Sequence, residues 1–292
     1  MPVLSEQKLN SMAIDVEALV NDVSVLVSLP EVYLKIRELM DDLDSRLDDF
    51  SLVINTDPAL AATVLKVVNS AYYGLSGQVT EISRALNLIG IGQLHDLALT
   101  ISAVGSLELS NDVEAVTVFW KRSIFCGMFS KLLGEHLGLK NAETLFIAGL
   151  LHEIGRLILF IKYPEESKQA ISFARANNQS LTEIELEIFG TDFGKIGQVL
   201  MAQWKLPHKI QNIIGYQLDP SAATEYTLET NIIHFAHKAS VNNFSNADSF
   251  QYLIDTDMLA TLRITSEDMS SLCAQASDIS QEMERMIFGS EN

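Results

Sequence analysis

Apolar residues recur three and four positions apart through most of the chain, the spacing of helices that each bury one face. Val32, Ile36 and Leu39 define a helix opened by Leu29-Pro30-Glu31, where Pro30 suits the first turn because its missing N–H costs nothing there. Asp41, Asp42 and Asp44 then form a polar break, read as a solvated turn before a short helix over 47–54. Asp57-Pro58 predicts an N-cap and first helical position, followed by a face of Leu60, Val64, Val67, Val68 and Ala71 that closes near Gly74. Helical spacing resumes over 82–88, turns at Gly90-Ile91-Gly92, and continues over 93–104. A polar stretch at 107–112 is the expected boundary between two helical subdomains. Beyond it come a helix over 119–137 closed by Gly138, and the most apolar helix, 144–160, stopped by Tyr163-Pro164. Two or three helices follow to Gln203, then helices over 210–216, near 229–241 and over 258–286. No useful run alternates apolar and polar residues, and no internal period appears, so the expected fold class is all-α.

Composition narrows the partners. With 48% hydrophobic residues, the 292-residue chain has enough apolar surface for a large core, and only 6 prolines interrupt its helices. A net charge of −18 repels phosphate backbones and anionic bilayers, so neither nucleic acid nor membrane is an expected partner. High charge also simply keeps a protein in solution. Cys126 and Cys273 form no C-x-x-C pair, which fits a reducing compartment. The opening residues lack a basic stretch followed by an apolar core, and the apolar run LFIAGLLHEIGRLILFI carries His, Glu and Arg. A cytoplasmic protein is expected.

Several chemical motifs fail on spacing. Gly190 to Lys195 is not a phosphate loop, Gly74-Leu75-Ser76-Gly77-Gln78 lacks the last glycine of a nucleophile elbow, and the acidic run 41–49 lacks the glycine and terminal glutamate of a calcium loop. Glu183, Glu185 and Glu187 alternate along a helix and read as solvated. The two short helices around Gly90-Ile91-Gly92 have the outline of a helix-turn-helix, but only Gln93 and His95 suit base contact, and Asp96 opposes phosphate. A DNA-binding regulator is therefore the weakest reading.

Ordered motifs carry a family resemblance. Leu29-Pro30-Glu31-Val32, Asp57-Pro58-Ala59-Leu60, Asn69-Ser70-Ala71-Tyr72-Tyr73-Gly74 and Ala85-Leu86-Asn87-Leu88-Ile89-Gly90 resemble the signature of the HDOD domain. Leu150-Leu151-His152-Glu153-Ile154-Gly155-Arg156 is similar to the L-L-H-D-I-G-[KR] element of HD-type phosphohydrolases, and Trp204-Lys205-Leu206-Pro207 matches the later W-x-[LF]-P element. The resemblance implies an N-terminal extension (1–21), an HDOD domain (22–239) and a C-terminal helical extension (240–292). The domain would comprise an N-terminal helical subdomain (22–110) and an HD-like bundle (111–239). Catalytic HD proteins hold divalent metal with converging imidazoles and carboxylates, which polarise phosphate and activate water. By the resemblance, those positions here are Arg122, His152, Glu153, Asp192 and His237, with Phe193 and Gln217 where further histidines would stand. Only His152 keeps its type.

A fixed cation at Arg122 opposes a divalent ion and is expected to pair with Glu153. No catalytic residue, metal or other cofactor is expected. The favoured function is a non-catalytic signalling or scaffold module that meets signalling proteins in trans or binds a small ligand. The C-terminal helices would either cap the bundle or make a homodimer. The alternative is a residual metal-dependent phosphohydrolase, with metal on His152, Glu153, His234 and His237, the last two sharing a helix face. A ligand-binding variant gives Arg122 and Arg156 to a phosphate.

Overall fold

A computed structural model describes residues 11–23, 31–69, 78–106, 113–140, 142–241 and 256–288. The described residues contain helices and connecting turns and no strand, so the fold is all-α as the periodicity implies. The first half holds α1 (Val16–Val23), α2 (Glu31–Asp41), α3 (Leu47–Asn55), α4 (Pro58–Val68) and α5 (Ile82–Ser106). The second holds α6 (Val113–His136), α7 (Ala142–Leu151), α8 (Ile154–Lys162), α9 (Pro164–Asn177), α10 (Leu181–Phe189), α11 (Phe193–Gln203), α12 (His208–Tyr216) and α13 (Thr227–Val241). α14 (Thr256–Leu262) and α15 (Ser266–Phe288) end the chain's described part.

Local chemistry sets several helix ends. Asp57 Oδ1 accepts the Leu60 amide at 3.1 Å, capping α4. Asp49 Oδ2 accepts the Arg46 amide at 2.8 Å, so part of the acidic run serves the start of α3. Asn69, just after α4, accepts the Val79 amide and donates to the Val79 carbonyl, both at 2.7 Å, pinning together the two ends of 70–77. Gly90 has φ 83°, a conformation open to glycine, and it kinks α5 where the sequence predicts a turn. The Leu29-Pro30 start, the Ser70–Gly74 motif and the 107–112 boundary lie outside the described residues.

One hydrophobic cluster runs through both halves. It joins Ile36, Phe50, Val64 and Leu94 with Ile124, Phe146, Leu150 and Ile158. The halves also meet through charge. Lys131 Nζ on α6 lies 2.5 Å from Asp96 Oδ2 on α5, both buried, and the neighbouring His95 ring sits 5.3 Å from Tyr33 on α2. His95 is therefore core, not a base-reading residue. The N-terminal segment is also integral: Leu19, Val20 and Val23 are buried, and the Met12 and Ile14 amides donate to the Ile188 and Phe189 carbonyls at 2.6 and 3.1 Å. At the other end, α15 lies against both α6 and α4, and Met269, Leu272 and Ala276 join Phe129, Leu133 and Phe235 in a second apolar cluster.

The most apolar stretch departs from expectation. The sequence predicts one helix over 144–160, whereas the chain breaks at His152-Glu153 into α7 and α8. Close packing flanks the break on both sides. A Cβ at Gly155 would run into the Phe193 carbonyl and the Gly197 amide of α11, so the start of α8 lies directly on that helix. A Cβ at Gly149 would lie 2.7 Å from the Cys126 carbonyl, so α7 presses equally closely on α6. The run Thr144–Lys162, 83% buried, is thus interior to the fold.

Candidate functional site

The break between α7 and α8 presents two consecutive polar side chains to the interior, where helix would have turned them apart. His152 and Glu153 are both buried. From α13, His237 brings its ring centroid to 5.2 Å from that of His152, and its Nδ1 lies 3.6 Å from Glu153 Oε1. One ligand atom from each of these three residues falls within 4.8 Å of the others. His152 Nδ1 lies 2.6 Å from the Gly149 carbonyl, so it carries the proton and Nε2 keeps its lone pair. His152 Nε2, His237 Nδ1 and Glu153 Oε2 are buried without a protein partner.

Two arginines claim the carboxylate. Arg122 Nη2, from α6, donates to Glu153 Oε1 at 2.7 Å, and Arg156 Nη1, from the first turn of α8, donates to the same oxygen. Arg156 is fully committed. Its Nε donates to Glu185 Oε1 at 2.8 Å, and its Nη2 donates to Glu185 Oε2 at 2.9 Å and Thr182 Oγ1 at 3.0 Å. The guanidinium also stands 4.1 Å from the centre of the Phe193 ring. The result is a chain, Arg122–Glu153–Arg156–Glu185, with two charges of each sign, buried except at its half-buried Arg122 end.

The protonation states follow from this order. Burial alone would raise the Glu153 carboxyl, but Arg156 and Arg122 outweigh it and hold the group well below the usual carboxylate range. Burial raises Glu185 and prevails there, because among the described residues Arg156 is the cation that touches it and is shared with Glu153. Burial tends to lower Arg156, yet Glu153 and Glu185 keep it firmly protonated. Burial pushes His152 down to about 4 and His237 well below its ordinary value, so both imidazoles are neutral at pH 7.

The remaining positions divide. Asp192 caps α11, accepting the Lys195 amide at 2.9 Å, and does not join the ligand cluster. Phe193 fills the next position, its ring centre 5.4 Å from that of His237. Of the four residues expected to gather around a metal, three converge; His234 is instead tied by Nδ1 to the Gln217 carbonyl at 2.5 Å. Arg156 also departs from the expected phosphate contact, since its buried guanidinium is spent on Glu153, Glu185 and Thr182. Sequence reading missed Glu185, placed among solvated glutamates. Glu183 and Glu187 are exposed, whereas Glu185 shares the buried face with Phe189, a spacing visible in the sequence. Gln217, which the resemblance places where a further histidine would stand, instead donates its Nε2 to the His152 carbonyl at 2.7 Å and locks the α7–α8 turn to the end of α12.

These residues do not fit a divalent cation. Two imidazoles and a carboxylate converge, but both guanidiniums already neutralise that carboxylate, and Glu185 balances Arg156. A dication about 5 Å from a guanidinium at intermediate dielectric meets repulsion of about 7 kcal/mol, with no surplus negative charge to offset it.

A helical bundle with a histidine-acid pair in an interhelical turn defines the HD-like class. The HDOD domain family model matches residues 26–220, and the chain belongs to that family. An uncharacterized protein of Treponema pallidum (strain Nichols) is 26% identical over 260 residues, which is 88% of this chain and 50% of the relative; the chain spans about half the length of that curated relative. Among solved structures, a Shewanella amazonensis SB2B protein provisionally named a phosphohydrolase aligns with TM-score 0.75 at 24% identity, over 92% of this chain and 98% of its own. An HDOD domain protein of unknown function from Geobacter sulfurreducens gives TM-score 0.75 at 19% identity, over 93% and 96%. A Marinobacter aquaeolei VT8 protein provisionally named for signal transduction gives 0.72 at 18%, over 95% and 68%. At these identities the likeness establishes the fold.

Proposed function

We propose that this chain is a non-catalytic signal-transduction module that works in the cytoplasm by binding a protein partner. The observation that carries this reading is the single oxygen of Glu153 shared by Arg122 and Arg156. A hydrolytic HD site needs that carboxylate for metal, and here it closes an internal salt-bridge chain. The provisional signalling name of the Marinobacter protein points the same way. DNA recognition finds no support in an acidic chain whose His95 is core.

The competing reading, a metal-dependent phosphohydrolase, draws on the three buried ligand atoms of His152, Glu153 and His237. Elemental analysis by plasma mass spectrometry, on protein purified without chelator and then exposed to Mn²⁺ or Fe²⁺, separates the two. The expected result is well under one metal per chain and no turnover of phosphomonoesters or phosphodiesters. Near-stoichiometric metal that is lost in His152→Ala, together with hydrolysis, would overturn the proposal.

A further inference from the structure

The two most exposed large apolar side chains among the described residues are Leu43, at 101%, and Leu52, at 68%. Both belong to one helical hairpin: Leu43 is in the turn after α2, and Leu52 is on α3. Met40, 41% exposed, adds a third apolar side chain at the end of α2. Isolated exposed leucines are ordinary, but three such residues within 13 positions are a local concentration. Folding does not account for them, since α2 and α3 bury Tyr33, Ile36, Phe50 and Ile54 on their other faces.

The same stretch of sequence is acidic. Positions 38–49 hold six Asp or Glu residues against one basic residue, Arg46. Asp48 stands one helical turn before Leu52 on the exposed face of α3. Asp42 and Asp49 have backbone duties in the turn, accepting the Asp44 and Arg46 amides. Asp44 and Asp48 have exposed side chains that make no ion pair among the described residues. Exposed apolar side chains interspersed along one hairpin with carboxylates, two of which make no ion pair among the described residues, select their occupant. A second copy would bring like charge to like charge, and nucleic acid or an anionic bilayer would be repelled. A helix with one apolar and one basic face satisfies both components.

We infer that the α2–α3 hairpin is a docking surface for a basic amphipathic helix of a partner protein, with Leu43 and Leu52 as its apolar anchors. This rests on the partner-binding reading above and supplies the partner's chemistry. The docking site and the buried arginine–glutamate chain use no residue in common.

The test uses the full chain and a synthetic amphipathic Lys/Leu helical peptide, with a scrambled peptide of identical composition as control. Fluorescence anisotropy measures affinity, and hydrogen exchange with mass spectrometry maps the contact. The amphipathic peptide is expected to protect residues 38–55 and to bind more tightly than the scrambled one. L43S/L52S is expected to weaken binding at least about tenfold, the scale of losing interface anchors. D44N/D48N should weaken it less and flatten its salt dependence. Both substitutions are at exposed positions, and circular dichroism checks that the helices persist. The inference is overturned if the peptide protects another surface, if L43S/L52S binds unchanged, or if both peptides bind alike. It is also overturned if the unliganded chain dimerises through this hairpin and L43S/L52S abolishes the dimer. Metal content of the same sample tests the non-catalytic reading separately: stoichiometric metal with hydrolysis sinks that reading whatever the footprint, and a misplaced footprint leaves it intact.

Discussion

Arg156→Met removes the one cation that Glu153 and Glu185 share, while keeping much of the side-chain volume over Phe193. Glu153 retains Arg122, but Glu185 becomes a buried carboxylate with no cation in contact among the described residues. Breaking a buried pair from one side costs about 3–5 kcal/mol, a large part of a domain's usual 5–15 kcal/mol. For 292 residues the unfolding entropy is about 0.6 kcal/mol/K, so the midpoint should fall by about 5–8 °C. The deficit should depend on pH. Glu185 is already raised by burial, and without Arg156 its folded pKa rises further above the unfolded value. A raised acid contributes stability at low pH that is lost as pH rises through the folded pKa. The variant should therefore lie nearest to wild type around pH 5 and fall behind by up to about 1.4 kcal/mol per unit towards pH 8. Adding Glu185→Gln should recover part of the loss at pH 8 and flatten the dependence. Calorimetry and urea melts from pH 5 to 8 measure all of this. A deficit below about 1 kcal/mol, or one that does not change with pH, would refute the view that Glu185 depends on Arg156.

Two further tests follow from the buried charges. His152 is held down to about 4 by burial, against about 6.5 when unfolded, so the unfolded chain takes up its proton first as pH falls. About 3 kcal/mol of stability should be lost between pH 6.5 and 4 on this account, with His237 adding in the same direction. His152→Asn should flatten that slope in urea melts, and an unchanged slope would dismiss the assignment. Lys131→Met strands Asp96 between the two halves and should cost about 3–5 kcal/mol. Hydrogen exchange should rise first in α2 and α5, where uniform loosening of every helix would argue against a local latch.

Much of the architecture was legible because helices announce themselves through period and punctuation. Asp57-Pro58, the Gly90 kink and the Tyr163-Pro164 stop all fall where the residues place them. The break at His152-Glu153 was not legible, because local spacing there reads as continuous helix and the backbone it packs on, such as α11 against Gly155, is distant in sequence. Arg122, His152, Glu153 and His237 were visible as a group through the family motifs. Glu185 was hidden because its partner, Arg156 at the start of α8, lies 29 positions away in sequence, and a glutamate between two glutamates looks solvated. His234 shows the opposite failure. It shares a helix face with His237, yet a carbonyl from Gln217 takes its nitrogen first.

The segment that sequence comparison recognises, 26–220, is not the segment that folds as a body. α15 lies across α4 and α6, His237 comes from α13, and residues 12 and 14 bond to the end of α10. A gene fusion or truncation cut at the recognisable edges would keep every motif and lose the wall of the site, and it would bare Phe129 and Leu133 to water. Any excision that is to keep this fold intact has to carry the flanking helices with the motif-bearing centre, so the unit that packs together is larger than the one the motifs mark.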